Sequence, residues 1–254
     1  MYNMKKKVVK MKTRTKTFLI LWILAIISTI LILPYIFNVQ AEALKKISLP
    51  LLILIAISQG AVTFGIAAFF GLILAEKIGF KLPLLTSWIE HKKIKYKGIL
   101  LLSIILGLIV GIIIFVLDKF VFQQSITLNM SVPLWQGFLA CFYGGIAEEI
   151  LMRLFLMSLF VFIILKIFRR KEKNSLIIWI SIILVAILFG LGHLPITSAV
   201  VSITPIVILR AVVLNGIGGI VFGWLYWKKG LESAIISHFV TDIFIQIIIP
   251  LFLR

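Results

Sequence analysis

The chain has 254 residues, of which 62% are hydrophobic, and its 26 lysines and arginines outnumber nine acidic residues to give a formal net charge of +17. Apolar runs of about 20 residues recur, and runs of this length can cross a bilayer, so the composition predicts a polytopic membrane protein rather than a water-soluble one. The net charge would also suit a nucleic-acid-binding protein, but the basic residues lie in short clusters between the apolar runs, so no nucleic-acid partner is expected.

The apolar segments predict an all-α, polytopic transmembrane helical bundle. We expect seven spans, at residues 17–37, 48–75, 98–117, 134–165, 175–194, 207–226 and 231–252, with ends accurate to a few residues. The uncharged stretch 174–209 is too long for one span and contains Pro195 and Pro205. Residues 195–206 are therefore expected to be an outer loop, a re-entrant segment or part of an eighth crossing.

The first apolar segment follows the basic stretch Lys5 to Lys16 and resembles a secretory signal sequence. Ala41-Glu42-Ala43 offers a small-x-small cleavage site. However, the apolar run is about twice the usual 7–15 residues of a signal peptide, which favours an uncleaved signal anchor.

Lysines and arginines are distributed unevenly between the two sides of the predicted bundle. Residues 1–16, 76–97, 166–174 and 227–230 carry 20 of them, whereas the opposite loops and the C-terminus carry four. Basic loops remain in the cytoplasm, so we expect a cytoplasmic N-terminus and an external C-terminus, in the plasma membrane of a bacterium. Anionic lipid headgroups are the expected partners of the basic clusters.

Several ionisable side chains fall inside or at the ends of long apolar runs. They are Glu148, Glu149, Arg153, His193, His238 and Asp242. An ionisable group within a span is costly, and by default it indicates a functional site. Glu149 and Arg153 share a helix face and can pair, whereas Glu148 is rotated by about 100° and can point elsewhere. An ion pair that only locks two helices is the structural alternative.

Two histidine motifs repeat the same i, i+4 spacing, since Phe189 precedes His193 and His238 precedes Asp242 by one turn. Asp242 can accept the N–H of His238 and leave the other ring nitrogen for a metal, a water or a developing oxyanion. Taken alone, His193 would fit an interfacial residue, but two of the three histidines share this pattern. The third, His91, lies in a basic loop and is expected to be solvated.

Together these residues resemble a known signature in both order and spacing. The motifs are Glu148-Glu149-x-x-x-Arg153, Phe189-x-x-x-His193 and His238-x-x-x-Asp242. They resemble the CAAX protease and bacteriocin-processing family, also called Abi proteins, over roughly residues 134–248. Many members have asparagine where this chain has Asp242, which keeps an acceptor but adds a negative charge. We expect N-terminal spans in residues 1–130 and a catalytic core in residues 131–254, within one membrane domain.

The resemblance implies an endopeptidase that works inside the membrane. Glu148 and His193 would hold and deprotonate the attacking water, and His238 and Asp242 would stabilise the oxyanion. The remaining implied site residues are Glu149, Arg153 and Phe189. Glu148, His193 and His238 could instead fill three positions of an open zinc site. The absence of a His-x-x-x-His pair favours the metal-independent version, and the metal question stays open.

The expected partners are membrane lipid and a peptide or protein substrate at the membrane. A prenylated C-terminus, a bacteriocin or pheromone leader and a membrane-protein stub are all compatible substrates. The alternatives are a non-catalytic immunity or regulatory scaffold of the same fold and, with less support, a transporter. Gly107-x-x-x-Gly111 and Gly219-x-x-x-Gly223 match a close-contact pattern, but packing within the chain uses that spacing more often than dimerisation does.

Depth along the spans conflicts with a single compact site. At about 1.5 Å per residue from the cytoplasmic ends, Glu148 lies about 26 Å deep and His193 about 27 Å, whereas His238 lies only about 10 Å deep. Helix tilt, a bend at Gly144-Gly145 or helices that project from the membrane would close the gap. We therefore predict that Glu148 lies within about 8 Å of an imidazole nitrogen of both His193 and His238.

Overall fold

The computed structural model describes the backbone of residues 2–122, 132–169 and 174–253, and the side chains of residues 11–122, 132–169 and 174–252. All regular structure in these ranges is helical. In chain order the helices are Tyr2–Leu31, Leu33–Val39, Ala41–Leu44, Leu49–Ile78, Pro83–Ile89, Lys97–Leu117, Asp118–Phe122, Leu134–Phe142, Tyr143–Glu148, Ile150–Met157, Ser158–Ile167, Ser175–Gly192, Leu194–Thr197, Pro205–Lys229, Leu231–Ile243, Phe244–Ile248 and Ile249–Leu253.

Consecutive helices combine into seven candidate membrane spans in the described chain. The first to seventh spans are Met11–Val39, Leu49–Ile78, Lys97–Phe122, Leu134–Ile167, Ser175–Thr197, Pro205–Lys229 and Leu231–Phe252. They confirm the predicted all-α bundle of an integral membrane protein, with ends within a few residues of those expected. Residues 198–204 are non-helical and join two spans, so the 195–206 stretch is a connection and not an eighth crossing.

The spans define two ends of the bundle. The basic end holds the connection 79–96, the described residues between the fourth and fifth spans, and Gly230 between the sixth and seventh. The opposite end holds the connections 40–48 and 198–204 and the end of the seventh span. Large apolar side chains such as Leu54, Val62 and Leu101 are exposed on the outside of the bundle, where lipid rather than water is the solvent.

Glycines allow the spans that carry the site to approach closely. A Cβ on Gly107 would lie 2.5 Å from the Ser237 carbonyl oxygen, so the third and seventh spans meet backbone to backbone. A Cβ on Gly219 would lie 2.8 Å from the Ala186 Cβ, which joins the sixth span to the fifth in the same way. Both glycine patterns therefore serve packing within the chain.

The fourth span departs from regular α-helix over its middle. Its segments Tyr143–Glu148 and Ile150–Met157 are π-helical. The wider π turn changes the direction in which successive side chains leave the helix, and such turns are frequent at functional sites. The change occurs at the Gly144-Gly145 position where a bend was expected, and it flanks Glu149.

Candidate active site

The centre of the site is a buried carboxylate that holds two partners. Glu149 Oε1 accepts a hydrogen bond from Arg153 Nη1 at 2.7 Å and one from His238 Nδ1 at 2.8 Å. Glu149 and Arg153 have no exposed side-chain surface, and His238 is almost fully buried. Because an ionised carboxylate only accepts, we assign the hydrogen to Nδ1 of His238 and leave Nε2 free.

This geometry corrects one expectation. The sequence predicted that Asp242, one turn away on the same helix, would accept the N–H of His238. The hydrogen bond is made instead by Glu149, 89 residues earlier in the chain. Helical spacing indicated a neighbour for the ring, but the packing of the fourth span on the seventh brings a better-aligned carboxylate to Nδ1.

Two further carboxylates face the free ring nitrogen. His238 Nε2 lies 3.9 Å from Glu148 Oε2 and 3.7 Å from Asp242 Oδ2. Both separations exceed hydrogen-bond length, and contacts of this size commonly enclose a water. Glu148 and Asp242 are about one-fifth exposed, in contrast to the fully buried Glu149. The structure therefore brings Glu148 to His238 well within the predicted separation.

Aromatic rings enclose the buried charges. Phe222 stacks on His238 at 4.6 Å between ring centroids, and Phe189 meets the same ring edge-on at 5.6 Å. The guanidinium carbon of Arg153 lies 4.8 Å from the Phe189 centroid and 5.3 Å from that of Phe222. Cation–π attraction of this kind offsets part of the cost of burying Arg153, whose Nε and Nη2 lack hydrogen-bond partners in the described chain.

His193 is oriented from within its own helix. Its Nδ1 lies 2.8 Å from the Phe189 carbonyl oxygen, which can only accept, so Nδ1 carries the hydrogen and Nε2 is free. The Phe189 ring also contacts His193 edge-on at 4.8 Å, so Phe189 touches both histidines of the site. His193 lines the same cavity as His238 and Asp242. Its approach to Glu148 stays a prediction.

Two residues that contact the site, Gly144 and Phe222, were not predicted from the sequence as site residues. A Cβ on Gly144 would overlap Asp242 Oδ2 and lie 3.2 Å from His238 Nε2, so a larger residue there would displace the Asp242 carboxylate. Phe222, which stacks on His238, is one of 20 phenylalanines in an apolar chain and carries no distinguishing signal. The glycine cluster Gly144-Gly145 was visible in the sequence, but its contact with Asp242 depends on how the fourth and seventh spans pack.

The model of the family described as Type II CAAX prenyl endopeptidase Rce1-like matches residues 130–244. This region contains every predicted site residue, from Glu148 to Asp242. Over this region, which is less than half of the chain, the protein is similar to the CAAX protease and bacteriocin-processing family. This similarity supports intramembrane endopeptidase activity in general terms. A search of curated proteins and a search of solved structures returned no match.

The cavity lined by His193, His238 and Asp242 has a volume of about 680 Å³. That volume is in the range of pockets that hold small ligands or short peptide segments. Arg210 and Asp118 form a two-point ion pair in the cavity wall, with Nε to Oδ1 at 2.7 Å and Nη2 to Oδ2 at 2.8 Å. The charges of Asp118 and Arg210 offset each other. Besides Asp118, Asp242 is the acidic side chain that lines the cavity in the described structure.

The positions of the side chains also bear on whether the site holds a metal. Among the residues that the structure describes, no three histidine, cysteine, aspartate or glutamate side chains are arranged to hold a metal ion. The three-ligand zinc site of Glu148, His193 and His238 considered from the sequence stays a prediction.

Proposed function

We propose that the chain is an intramembrane endopeptidase in which Glu148 and His193 activate a water and His238 and Asp242 stabilise the oxyanion, without a metal. The observation that supports it most directly is the orientation of His238. Buried Glu149 holds Nδ1, and Nε2 faces the gap between Glu148 and Asp242. A histidine placed in this way is oriented toward a reacting group rather than toward a structural partner.

The first step of the proposed reaction uses the two groups with free acceptor atoms. Glu148 makes no direct hydrogen bond to His238 at 3.9 Å and is partly exposed, so its carboxylate can accept a proton from a water. His193, with Nδ1 donating to Phe189, offers Nε2 as acceptor to the second hydrogen of that water. The oxygen lone pair then points toward the scissile carbonyl carbon, which it attacks as Glu148 takes the proton.

The second step places negative charge on the former carbonyl oxygen. In its cationic form His238 donates from Nδ1 to Glu149 and from Nε2 to that oxygen. Asp242 and Glu148 lie beside Nε2 and offset the positive charge of the ring. Glu148 then returns its proton to the leaving nitrogen as the C–N bond breaks, so the products are a carboxylic acid and an amine.

Glu149, Arg153, Phe189 and the newly identified Phe222 act as positioning residues in this scheme. They hold the ring of His238 on three sides, and the Glu149–Arg153 pair has no exposed surface for a substrate to touch. Their substitution should therefore act through the geometry of His238.

Cleavage of a quenched-fluorescence peptide panel by purified protein tests the proposal. Wild type should cleave at least one peptide, whereas Glu148→Gln, His193→Ala and His238→Ala should each lose about 10²- to 10⁴-fold in rate. His91→Ala is the matched control because His91 is exposed at the basic end, and it should retain wild-type activity.

Three outcomes would overturn parts of this proposal. Full activity in Glu148→Gln would remove Glu148 as the base. Stoichiometric metal in active wild type that is lost with His193→Ala or His238→Ala would replace the metal-independent step. If folded wild type cleaved no peptide, the non-catalytic scaffold of the same fold would be the better reading.

A further inference from the structure

The cavity lined by His193, His238 and Asp242 is built from one end of the bundle. Beyond the site, its lining includes residues from the ends of the spans that lie opposite the basic loops: Val39, Asp118, Gly137, Val200, Arg210 and Pro250. No described residue of the connections 79–96 or 168–174 lines it. The cavity therefore extends from His238 toward the end that carries the C-terminus.

The other side of His238 is closed by packed side chains. Tyr226, Leu231 and Ala234, which lie between His238 and the basic end, have no exposed surface. Phe80 packs edge-on against Tyr226 at 4.9 Å between ring centroids. Among described residues, no open path therefore connects His238 with the basic end.

Hydrogen bonds from the connection between the second and third spans hold this closure in place. The Leu231 amide donates to the Lys81 carbonyl oxygen at 3.2 Å. The Leu85 amide donates to Glu232 Oε1 at 2.8 Å, within the first turn of the helix Pro83–Ile89. Because both bonds join residues 81–85 to the start of the seventh span, the connection covers the site from the basic end.

From this geometry, and resting on the proposed function, we infer that the substrate enters from the end opposite the basic loops. Loop charge places the basic end in the cytoplasm, so entry is from the outer side of the membrane. The substrate is then a peptide segment that has already been translocated, such as an exported peptide or the outer end of a membrane protein. A C-terminus located in the cytosol would meet the closed end.

The cavity wall indicates the character of that segment. Ile114, Ile196, Leu214 and Ile245 contribute apolar surface, and the Asp118–Arg210 pair is neutral overall. A wall of this kind suits an uncharged, largely apolar stretch in extended conformation, as found next to a membrane anchor.

Cysteine accessibility tests the direction of entry without any need for activity. Val200→Cys at the cavity mouth and Asn215→Cys in its wall would be treated in intact cells with a membrane-impermeant maleimide, and Lys93→Cys would report the basic end. Wild type is the background control because its single cysteine, Cys141, is fully buried. We expect the first two variants to be labelled at least tenfold more than Lys93→Cys, which should react only after permeabilisation.

Several labelling patterns would overturn the inference. Labelling of Asn215→Cys only after permeabilisation would place the opening in the cytoplasm. If Val200→Cys is labelled but Asn215→Cys is labelled neither in intact nor in permeabilised cells, the cavity does not open at that end. Reaction of Lys93→Cys in intact cells would reverse the orientation.

Proteoliposomes add a readout of the reaction itself. The fraction of molecules in each orientation is measured by external labelling of Lys93→Cys, and a membrane-impermeant fluorogenic peptide is added outside. Cleavage should scale with the fraction that exposes the end opposite the basic loops, and scaling with the other fraction would contradict the inference. If no peptide is cleaved even in detergent, the proposed function fails, while the labelling still reports the side of entry.

Discussion

At the scale of single residues, the site depends on charges buried together. Glu149 accepts from Arg153 and His238 through the same oxygen, and none of the three is appreciably exposed. If only one member of the buried Glu149–Arg153 ion pair is removed, the other charge stays buried without compensation. This is far more destabilising than removal of both members.

Arg153→Met should therefore lower the free energy of unfolding by about 3–5 kcal/mol, because buried Glu149 would lose its cationic partner and keep only the hydrogen bond from His238. The double variant Arg153→Met/Glu149→Gln should recover most of this loss, since it removes both charges. Thermal unfolding of wild type, the single variant and the double variant in the same detergent measures the loss and its recovery. Equal destabilisation of the single and double variants would show that packing of the arginine, and not its charge, supports the site.

Gly144→Ala should reduce peptide cleavage at least tenfold. The new methyl group would overlap Asp242 Oδ2, and Asp242 would have to rotate away from His238 Nε2. Because a carboxylate at the end of a side chain can move, the midpoint of thermal unfolding should change little. Gly216→Ala is the matched control, since its Cβ would meet only the Ala186 carbonyl oxygen at 4.0 Å. Full activity in Gly144→Ala would contradict the role of Asp242.

At the scale of elements, the position of His238 depends on the contact between the third and seventh spans. Thr241 Oγ1 donates to the Gly107 carbonyl oxygen at 2.9 Å, one turn from the histidine. The two backbones approach at Gly107 so closely that a side chain cannot be accommodated without separating the helices.

Gly107→Ala should destabilise the protein by about 1–3 kcal/mol, as overpacking of a close contact does. The contacting atom is the Ser237 carbonyl oxygen, which cannot rotate away, so the helices must shift. Since Ser237 precedes His238, cleavage should fall as well. Gly98→Ala lies in the same span, and no described atom would lie within 4 Å of its Cβ. It should match wild type in both thermal unfolding and cleavage. Similar effects of the two substitutions would exclude the close contact.

At the scale of the whole molecule, the N-terminal spans complete the protein beyond the matched region 130–244. A Cβ on Gly71 of the second span would lie 2.8 Å from Leu154 Cγ of the fourth. The third span makes the Gly107 contact to the seventh. The matched region is thus packed against spans outside it on two sides. That the two parts form one membrane domain stays a prediction.

Residues 131–254 expressed alone should consequently accumulate poorly and show no cleavage, because their faces toward the second and third spans would meet lipid. Co-expression with residues 1–130 should restore both, as separate fragments of a membrane bundle can assemble through the same helix contacts. Membrane yield and peptide cleavage are the measurements. An active isolated C-terminal fragment would show that the two parts are separate domains.

The spans and the local pairs were accessible from the sequence for a physical reason. Whether a segment can cross a bilayer depends on its own length and hydropathy, and side chains four residues apart on a helix meet whatever surrounds them. The seven spans and the Glu149–Arg153 pair belong to this class. So do the three motifs that carry the family resemblance, because their spacing is a property of the chain itself.

The hydrogen bond from His238 to Glu149, the stacking of Phe222 and the fit of Asp242 against Gly144 were decided by the tertiary structure. Each joins residues on different spans, and their depth along ideal upright helices would have kept the site apart. The π-helical turns of the fourth span and the close glycine contacts occur where these spans meet. The same packing closes one end of the cavity and opens the other, and no local pattern contains that information, because it depends on how all seven spans cover one another.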